Sequence, residues 1–258
     1  MGRASPIRKS EMRPGRRGCG CAPSCCSTDG EKSLETDALA LGYSPEELAS
    51  APEGSEPGLG CGNPTAMASI QAGETVVDLG SGAGFDCFLA ARRVRDQGRV
   101  IGVDMTPDMI GKALANAERG NYAHVEFRLG EIEALPVADG VADLVLSNRV
   151  VNLSPDKARV YREAFRVLRP GGRLAISDTV ALRPIPPALK AEVAAYTGCV
   201  AGAESPAAWE AMLTEAGFVE VRVDVQRTSG KFVKDGIPGQ NAGDFVASAN
   251  ITGCKPKV

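Results

Sequence analysis

Val76-Val77-Asp78-Leu79-Gly80-Ser81-Gly82-Ala83-Gly84 is the stretch that decides the fold. Val76, Val77 and Leu79 are apolar and mostly β-branched, as in a short strand covered on both faces. Gly80, Gly82 and Gly84 tolerate positive φ and let backbone approach a ligand closely. The segment that follows, Phe85 to Arg95, reads as a helix whose positive dipole end points at the glycines. A glycine turn without a ligand is the alternative, because a lone GxGxxG-like match is weak by itself.

A second strand, Gly98 to Asp104, ends in an acid about 20 residues beyond the glycines, where a βαβ unit offers a carboxylate to ribose hydroxyls. Two cofactor classes fit this layout. A dinucleotide site uses its glycines to approach a pyrophosphate. The order Asp-Leu-Gly-Ser-Gly-Ala-Gly, with the acid ahead of the first glycine, instead resembles the S-adenosylmethionine (SAM) methyltransferases. SAM has no phosphate, and its ammonium group suits an acid such as Asp78.

With 258 residues the chain can form one domain with a full core, plus a tail. Net charge is −3 and aromatic residues make up 5%, so there is neither a basic stripe nor a stacking surface for nucleic acid. No apolar run reaches transmembrane length, and no membrane partner is expected. The first seventeen residues carry six Arg or Lys and one Glu. No apolar stretch follows Arg16-Arg17, which favours a disordered basic leader or an upstream start codon over a secretory signal. Of the eight cysteines, Cys19, Cys21, Cys25 and Cys26 crowd the tail. The rest are scattered through an α/β pattern, which suits reduced thiols in the cytoplasm better than a disulfide framework.

Residues 1–33 lack periodicity and read as a disordered, Cys-rich tail. Its paired cysteines are either a soft-metal site or incidental. A short helix is expected over 33–41, and Ser44-Pro45-Glu46-Glu47 is a capped helix start. In Gly58-Leu59-Gly60-Cys61-Gly62-Asn63-Pro64 a cysteine sits among glycines on what reads as an exposed loop. It is a reactive or ligating thiol, or a cysteine tolerated in a tight turn. A helix from Pro64 to Ile70 leads to the core strand.

Alternation then continues, with helices over 106–119 and 154–168 and strands over 124–129, 141–147 and 173–178. His124 starts a strand and reads as a surface residue. Gly130-Glu131-Ile132-Glu133 and Asn148-Arg149-Val150 both lie at the carboxyl edge of the sheet, where open α/β sheets bind ligands. A helix over 188–196 ends at Gly198-Cys199-Val200, again a cysteine among small residues. After a helix over 206–216, strands over 218–225 and 244–252 form an antiparallel hairpin at the sheet edge. Cys87 reads as buried filler and Cys254 has no role.

From about Gly42 onward the chain resembles the arsenite methyltransferases. The stretches are GYSPEELASAPEGSEPGLGCGNP, DLGSGAGFDCFLAARRV, GVDMTPDMI, EFRLGEIEALPV, VVNLSPDK, RVLRPGGRLAISD and GCVAGA. The glycine loop alone would match any class I methyltransferase, whereas GLGCGNP with NLSPDK and GCVAGA is far more specific. The resemblance implies a class I, Rossmann-like doubly wound sheet in which 34–181 form the core. Residues 182–258 add arsenic-site helices and the closing strands. It implies SAM contacts at Asp78, Gly80, Ser81, Gly82, Gly84, Asp104, Met105, Ile132, Glu133 and Asn148. Cys61 and Cys199 match two of the family's arsenic ligands, and Cys25 and Cys26 resemble its N-terminal cysteines, with Cys26 in the catalytic cascade. Thiolates hold the arsenical, its lone pair takes the methyl group, and positioning supplies much of the rate. A reducing thiol, glutathione or thioredoxin, resets the cycle. A cytoplasmic monomer is expected.

One position departs from the family. Where it usually reads Ser-Asn-Cys-Val, this chain reads Ser147-Asn148-Arg149-Val150. A guanidinium stays charged. Beside Cys61 or Cys199 it is expected to lower the thiol pKa, and to repel a sulfonium by ~1–4 kcal/mol at ~4 Å. The missing sulfur is expected from Cys26, whose ~35-residue connection to Cys61 spans roughly 30 Å. Alternatively glutathione supplies it, or an already methylated arsenical needs only two. Two other functions remain open: methylation of another small acceptor whose carboxylate pairs with Arg149, and arsenic sequestration without turnover.

Overall fold

The computed structural model describes residues 38–55, 60–186, 199–226 and 244–257. After helical residues 38–40, the described elements are helices α1 (Pro45–Ser50) and α2 (Pro64–Met67), then β1 (Thr75–Leu79), α3 (Phe85–Val94), β2 (Arg99–Asp104) and α4 (Pro107–Arg119). They continue with β3 (Val125–Leu129), β4 (Ala142–Asn148), a 3₁₀ turn (Val151–Leu153), α5 (Lys157–Val167) and β5 (Leu168–Ala181). Helix α6 (Pro206–Glu215), β6 (Val219–Gln226) and β7 (Val246–Cys254) complete the set.

The seven strands form one sheet in the order β3-β2-β1-β4-β5-β7-β6. Strands β1 to β5 pair in parallel, and β7 is antiparallel to both of its neighbours. The expected doubly wound sheet and antiparallel C-terminal pair are both present. The order reverses between β1 and β4, so the loops after these two strands open onto one crevice, the place where such sheets bind ligands.

Period-2 alternation explains how β1 supports both the core and that crevice. Val77 and Leu79 join Val103, Ile176, Tyr161 and Trp209 in one buried cluster. Val76 faces the opposite side with Phe88, Val94 and Leu146. Asp78 shares the Val76 face, which brings its carboxylate against α3. Burial on both faces is why β1 reads as a continuous apolar run interrupted by one acid.

Local chemistry sets the boundaries. Ser44 and Glu47 close a reciprocal capping box at α1. Helix α2 stops at Met67, short of the expected Ile70, where Ser69 turns to φ 48°. Strand β5 is longer than the expected 173–178: it absorbs Arg169-Pro170-Gly171-Gly172 as a bulge between the Ala142↔Leu168 and Leu144↔Arg173 pairs. The helix expected over 188–196 and Cys19, Cys21, Cys25 and Cys26 lie outside the described residues.

Candidate active site

The crevice between the β1 and β4 loops holds a cavity of about 360 Å³. Asp78, Gly80, Ser81, Gly82 and Asn148 line it together with Asp86, whereas Gly84, Asp104, Met105, Ile132 and Glu133 are not among its lining residues. Gly80 has φ 72°, and a Cβ there would collide with the Val150 side chain, so only glycine lets the loop close over β4. Gly84 caps α3 at φ 97°. The Gly82 N–H donates to Asp104 Oδ2 at 2.9 Å and the Thr106 N–H to Asp104 Oδ1 at 2.8 Å, which fixes this carboxylate at the cavity's β2 side. Ile132 is buried, and Glu133 accepts a short hydrogen bond from Ser154. Met105, 70% exposed, lies just past β2.

Two buried carboxylates, Asp78 and Asp86, line the cavity, with Lys112 as its cationic lining residue. Burial, reinforced by neighbouring Asp86 and Asp104, pushes Asp78 well above the usual carboxylate range. The Cys87 thiol donates to Asp78 Oδ2 at 3.2 Å, so this cysteine has a polar partner and is more than filler. Burial pushes Asp86 up to about 6, even though Tyr43 and Asn148 donate hydrogen bonds to it. Ser81 Oγ is buried with no hydrogen-bond partner among the described residues. Two desolvated acids and an unsatisfied hydroxyl suit a ligand that carries positive charge and polar groups. A SAM molecule, with its ammonium and sulfonium, fits that requirement.

The second half of the site begins at the end of β4. The Cys61 N–H donates to Asn148 Oδ1 at 2.9 Å, and Asn148 Nδ2 donates to Gly62 O at 3.0 Å. Cys61 Sγ lies 3.4 Å from Thr179 Oγ1 on β5. At Gly62 a Cβ would come within 2.9 Å of Ser177 Oγ, so glycine allows the loop to lie flat on β5. Cys199, at φ 61°, donates its S–H to the Arg149 carbonyl at 3.4 Å, and the Arg149 N–H donates to Ser177 O at 2.8 Å. Each thiol feels the charges of the same Arg149 and Asp178, and Cys61 also feels that of Cys199. Two thiols from distant loops therefore share one neighbourhood, with Arg149 beside them.

Two expectations need correction. Cys61 is not on an exposed loop: it is 8% exposed, because Asn148 and β5 draw the loop inward. Nor does Arg149 leave the thiols acidic. Burial, with Asp178 next, pushes both Cys61 and Cys199 up to about 12, and the guanidinium only offsets part of the rise. Desolvation outweighs a single nearby cation.

Asp178 was legible only as a strand end. It is fully buried, accepts from the Asn152 side chain at 2.9 Å and the Thr179 N–H at 2.7 Å, and is pushed up to about 6 by burial. An acid at the end of the strand expected over 173–178 was the available signal; β5 in fact runs on to Ala181. His124 is half-buried and its ring contacts Ala91 O at 3.1 Å. Among the described residues no group of three or more His, Cys, Asp or Glu is arranged to hold a metal ion, and no helix is long and apolar enough to cross a membrane.

Residues 70–217 match the methyltransferase domain family. The chain is 50% identical to an arsenite methyltransferase of Halobacterium salinarum, over 90% of this chain and 59% of that protein. It is 41% identical to an arsenite methyltransferase of Aquipseudomonas alcaligenes, over 67% of this chain and 51% of that protein. An arsenic (III) S-adenosylmethionine methyltransferase of Chlamydomonas reinhardtii superposes with a TM-score of 0.61 at 32% identity, covering 87% of this chain and 74% of its own. The glycine loop, the carboxylate pair and the seven-stranded order define a class I SAM-dependent methyltransferase, and within that class the chain belongs to the arsenite methyltransferase family. It spans 59% and 51% of the length of the two curated relatives.

Proposed function

We propose that the protein methylates trivalent arsenicals, arsenite or methylarsenite, as an arsenic detoxification enzyme. The observation that carries this reading is that Cys61 and Cys199 are held by adjacent residues, Cys61 by the Asn148 side chain and Cys199 by the Arg149 carbonyl, with Asn148 also lining the cavity. SAM, when bound, supplies an activated methyl group for the arsenic lone pair. Asp78 and Asp86 compensate the cofactor's positive charge, Asp104 takes its ribose, and Gly80 to Gly84 admit it to the backbone.

The thiols bind arsenic as protonated groups. Each S–H replaces one hydroxyl of the arsenical, an As–S bond forms, and the proton leaves with the hydroxyl as water. Thiol pKa values near 12 are compatible with this exchange because no net charge is created in the buried site. The lone pair on arsenic carries no proton, so no general base is required at the acceptor. Positioning is the chain's main contribution.

Arg149 leaves two sulfurs for arsenic among the described residues. Cys26 or Cys25 from the tail, or glutathione, supplies a third when inorganic arsenite is the substrate. Methylarsenite needs none, because carbon already fills one valence. Methyl transfer leaves arsenic formally pentavalent; two thiols return it to the trivalent state by forming a disulfide, and a small-molecule thiol or thioredoxin in the cytoplasm reduces that disulfide.

The test is product formation from arsenite and from methylarsenite with wild type, Cys61→Ser, Cys199→Ser, Arg149→Cys and a chain lacking residues 1–33. Methylated product that disappears with either serine variant is expected. SAM binding without any methylarsenical product would leave a sequestering protein, and a methylated organic product would move the assignment to another acceptor. If Arg149→Cys gains no arsenite activity, Arg149 does not stand in for a third ligand. If the deletion changes nothing, the tail is not the thiol donor.

A further inference from the structure

Tyr43 is 2% exposed and lies in the apolar cluster of Ala38, Phe85 and Leu89. Its hydroxyl donates to Asp86 Oδ1 at 2.8 Å and accepts from Asn148 Nδ2 at 3.0 Å. Asn148 Nδ2 also reaches Asp86 Oδ2 at 3.1 Å and Gly62 O at 3.0 Å. Three acceptors thus surround an amide that has only two hydrogens. One acceptor is always underserved, and which one depends on what else donates to Asp86. A cofactor ammonium against Asp86 is such a donor. It frees an Asn148 hydrogen for Gly62 O and tightens the loop that carries Cys61, whose N–H already binds Asn148 Oδ1.

We infer that Tyr43, Asp86 and Asn148 form a relay through which occupation of the cofactor cavity sets the position of the Cys61 loop, with Tyr43 as a positioning residue that touches neither the thiols nor the cavity. The inference rests on the cofactor assignment but not on the arsenical one. Coupling of this kind is reciprocal and typically amounts to 5–150-fold, so a factor of at least about five is expected.

Alkylation by iodoacetamide, mapped to individual cysteines by peptide mass spectrometry, tests it without any arsenical. In wild type, saturating S-adenosylhomocysteine slows labelling of Cys61 at least about fivefold. Cys199, held by the Arg149 carbonyl and not by the relay, changes less. In Tyr43→Phe the amide has hydrogens enough for its remaining acceptors, and protection of Cys61 falls to less than about twofold although S-adenosylhomocysteine still binds by calorimetry. Asn148→Ala, labelled at an S-adenosylhomocysteine concentration shown by calorimetry to saturate that variant, gives the same loss and carries the test alone should Tyr43→Phe not fold. Equal labelling of wild type with and without S-adenosylhomocysteine overturns the relay, as does full protection in both variants, since S-adenosylhomocysteine would then simply block access. Intact protection in a protein that methylates no arsenical would refute the proposed substrate and leave the relay standing.

Discussion

The cofactor cavity and the thiol pair lie side by side but are built on different plans. The cavity comes mostly from one contiguous run, β1 through the start of α3, with Asn148 added from the end of β4 and Asp104 holding the run from behind through the Gly82 N–H. Its loop geometry is set by glycines, by the Gly84 N–H donating to Ser81 O within the run, and by the Gly80 and Ser81 N–H groups donating to Val103 O on the adjacent β2. The thiol site has no such run. Cys61 and Cys199 are 138 positions apart, 199 minus 61, and meet only because Asn148 holds one by its side chain and Arg149 holds the other by its carbonyl. One region is a motif, whereas the other is a juxtaposition that exists only after the sheet has formed.

Separability is the sharpest way to break this comparison. Cys61→Ser or Cys199→Ser removes a proposed arsenic ligand without touching the glycine run. Methyl transfer is expected to fall by more than about 100-fold, the scale of loss when a reacting group is misplaced by an ångström. S-adenosylhomocysteine affinity, measured by calorimetry, stays within error of wild type. A parallel loss of cofactor affinity would mean that the two regions form one unit.

That difference in plan also explains what was legible. Asp78, Gly80, Gly82 and Asp104 could be singled out as candidates because their spacing carries its own physical reason: a strand end, positive φ and an acid placed for a ribose one βαβ unit later. Cys61 and Cys199 stood out only as thiols in small-residue loops, and their pairing rested on resemblance. Asp86 was hidden because an acid in the first turn of a helix is ordinary dipole chemistry. One of its hydrogen-bond donors, Tyr43, comes from 43 residues upstream. Asp178 and the upward shift of both thiols were out of reach, since desolvation is a property of the assembled sheet and no sequence pattern encodes it.

The carboxylates yield the next prediction. Asp86 titrates near 6 in the free protein, above its ordinary value, so its contribution to stability is present in acid and is lost as pH rises through 6. A cationic cofactor favours the ionised form. Cofactor binding should therefore release a proton at pH 5–6, and affinity should drop about tenfold from pH 7 to pH 5. Calorimetry in buffers of different ionisation enthalpy measures both. Asp86→Asn should flatten that dependence; if the slope persists unchanged, Asp78 is the titrating group.

The smallest effect sharpens the comparison from the thiol side. After burial, Asp178 is the largest influence raising Cys61 and Cys199, whereas Arg149 lowers both. Asp178→Asn should therefore lower the two thiol pKa values together, and Arg149→Met should raise them together. Alkylation rates at pH 8 follow the thiolate fraction, but intrinsic nucleophilicity falls as pKa falls, with a Brønsted slope of about 0.4–0.5. A one-unit drop thus speeds labelling by only about threefold, and a one-unit rise slows it by the same factor. Both cysteines must move in the same direction in each variant, because they share one acid and one guanidinium. A change at one thiol alone would mean that the two sulfurs sit in separate electrostatic surroundings, and arsenic would then have no common site between them.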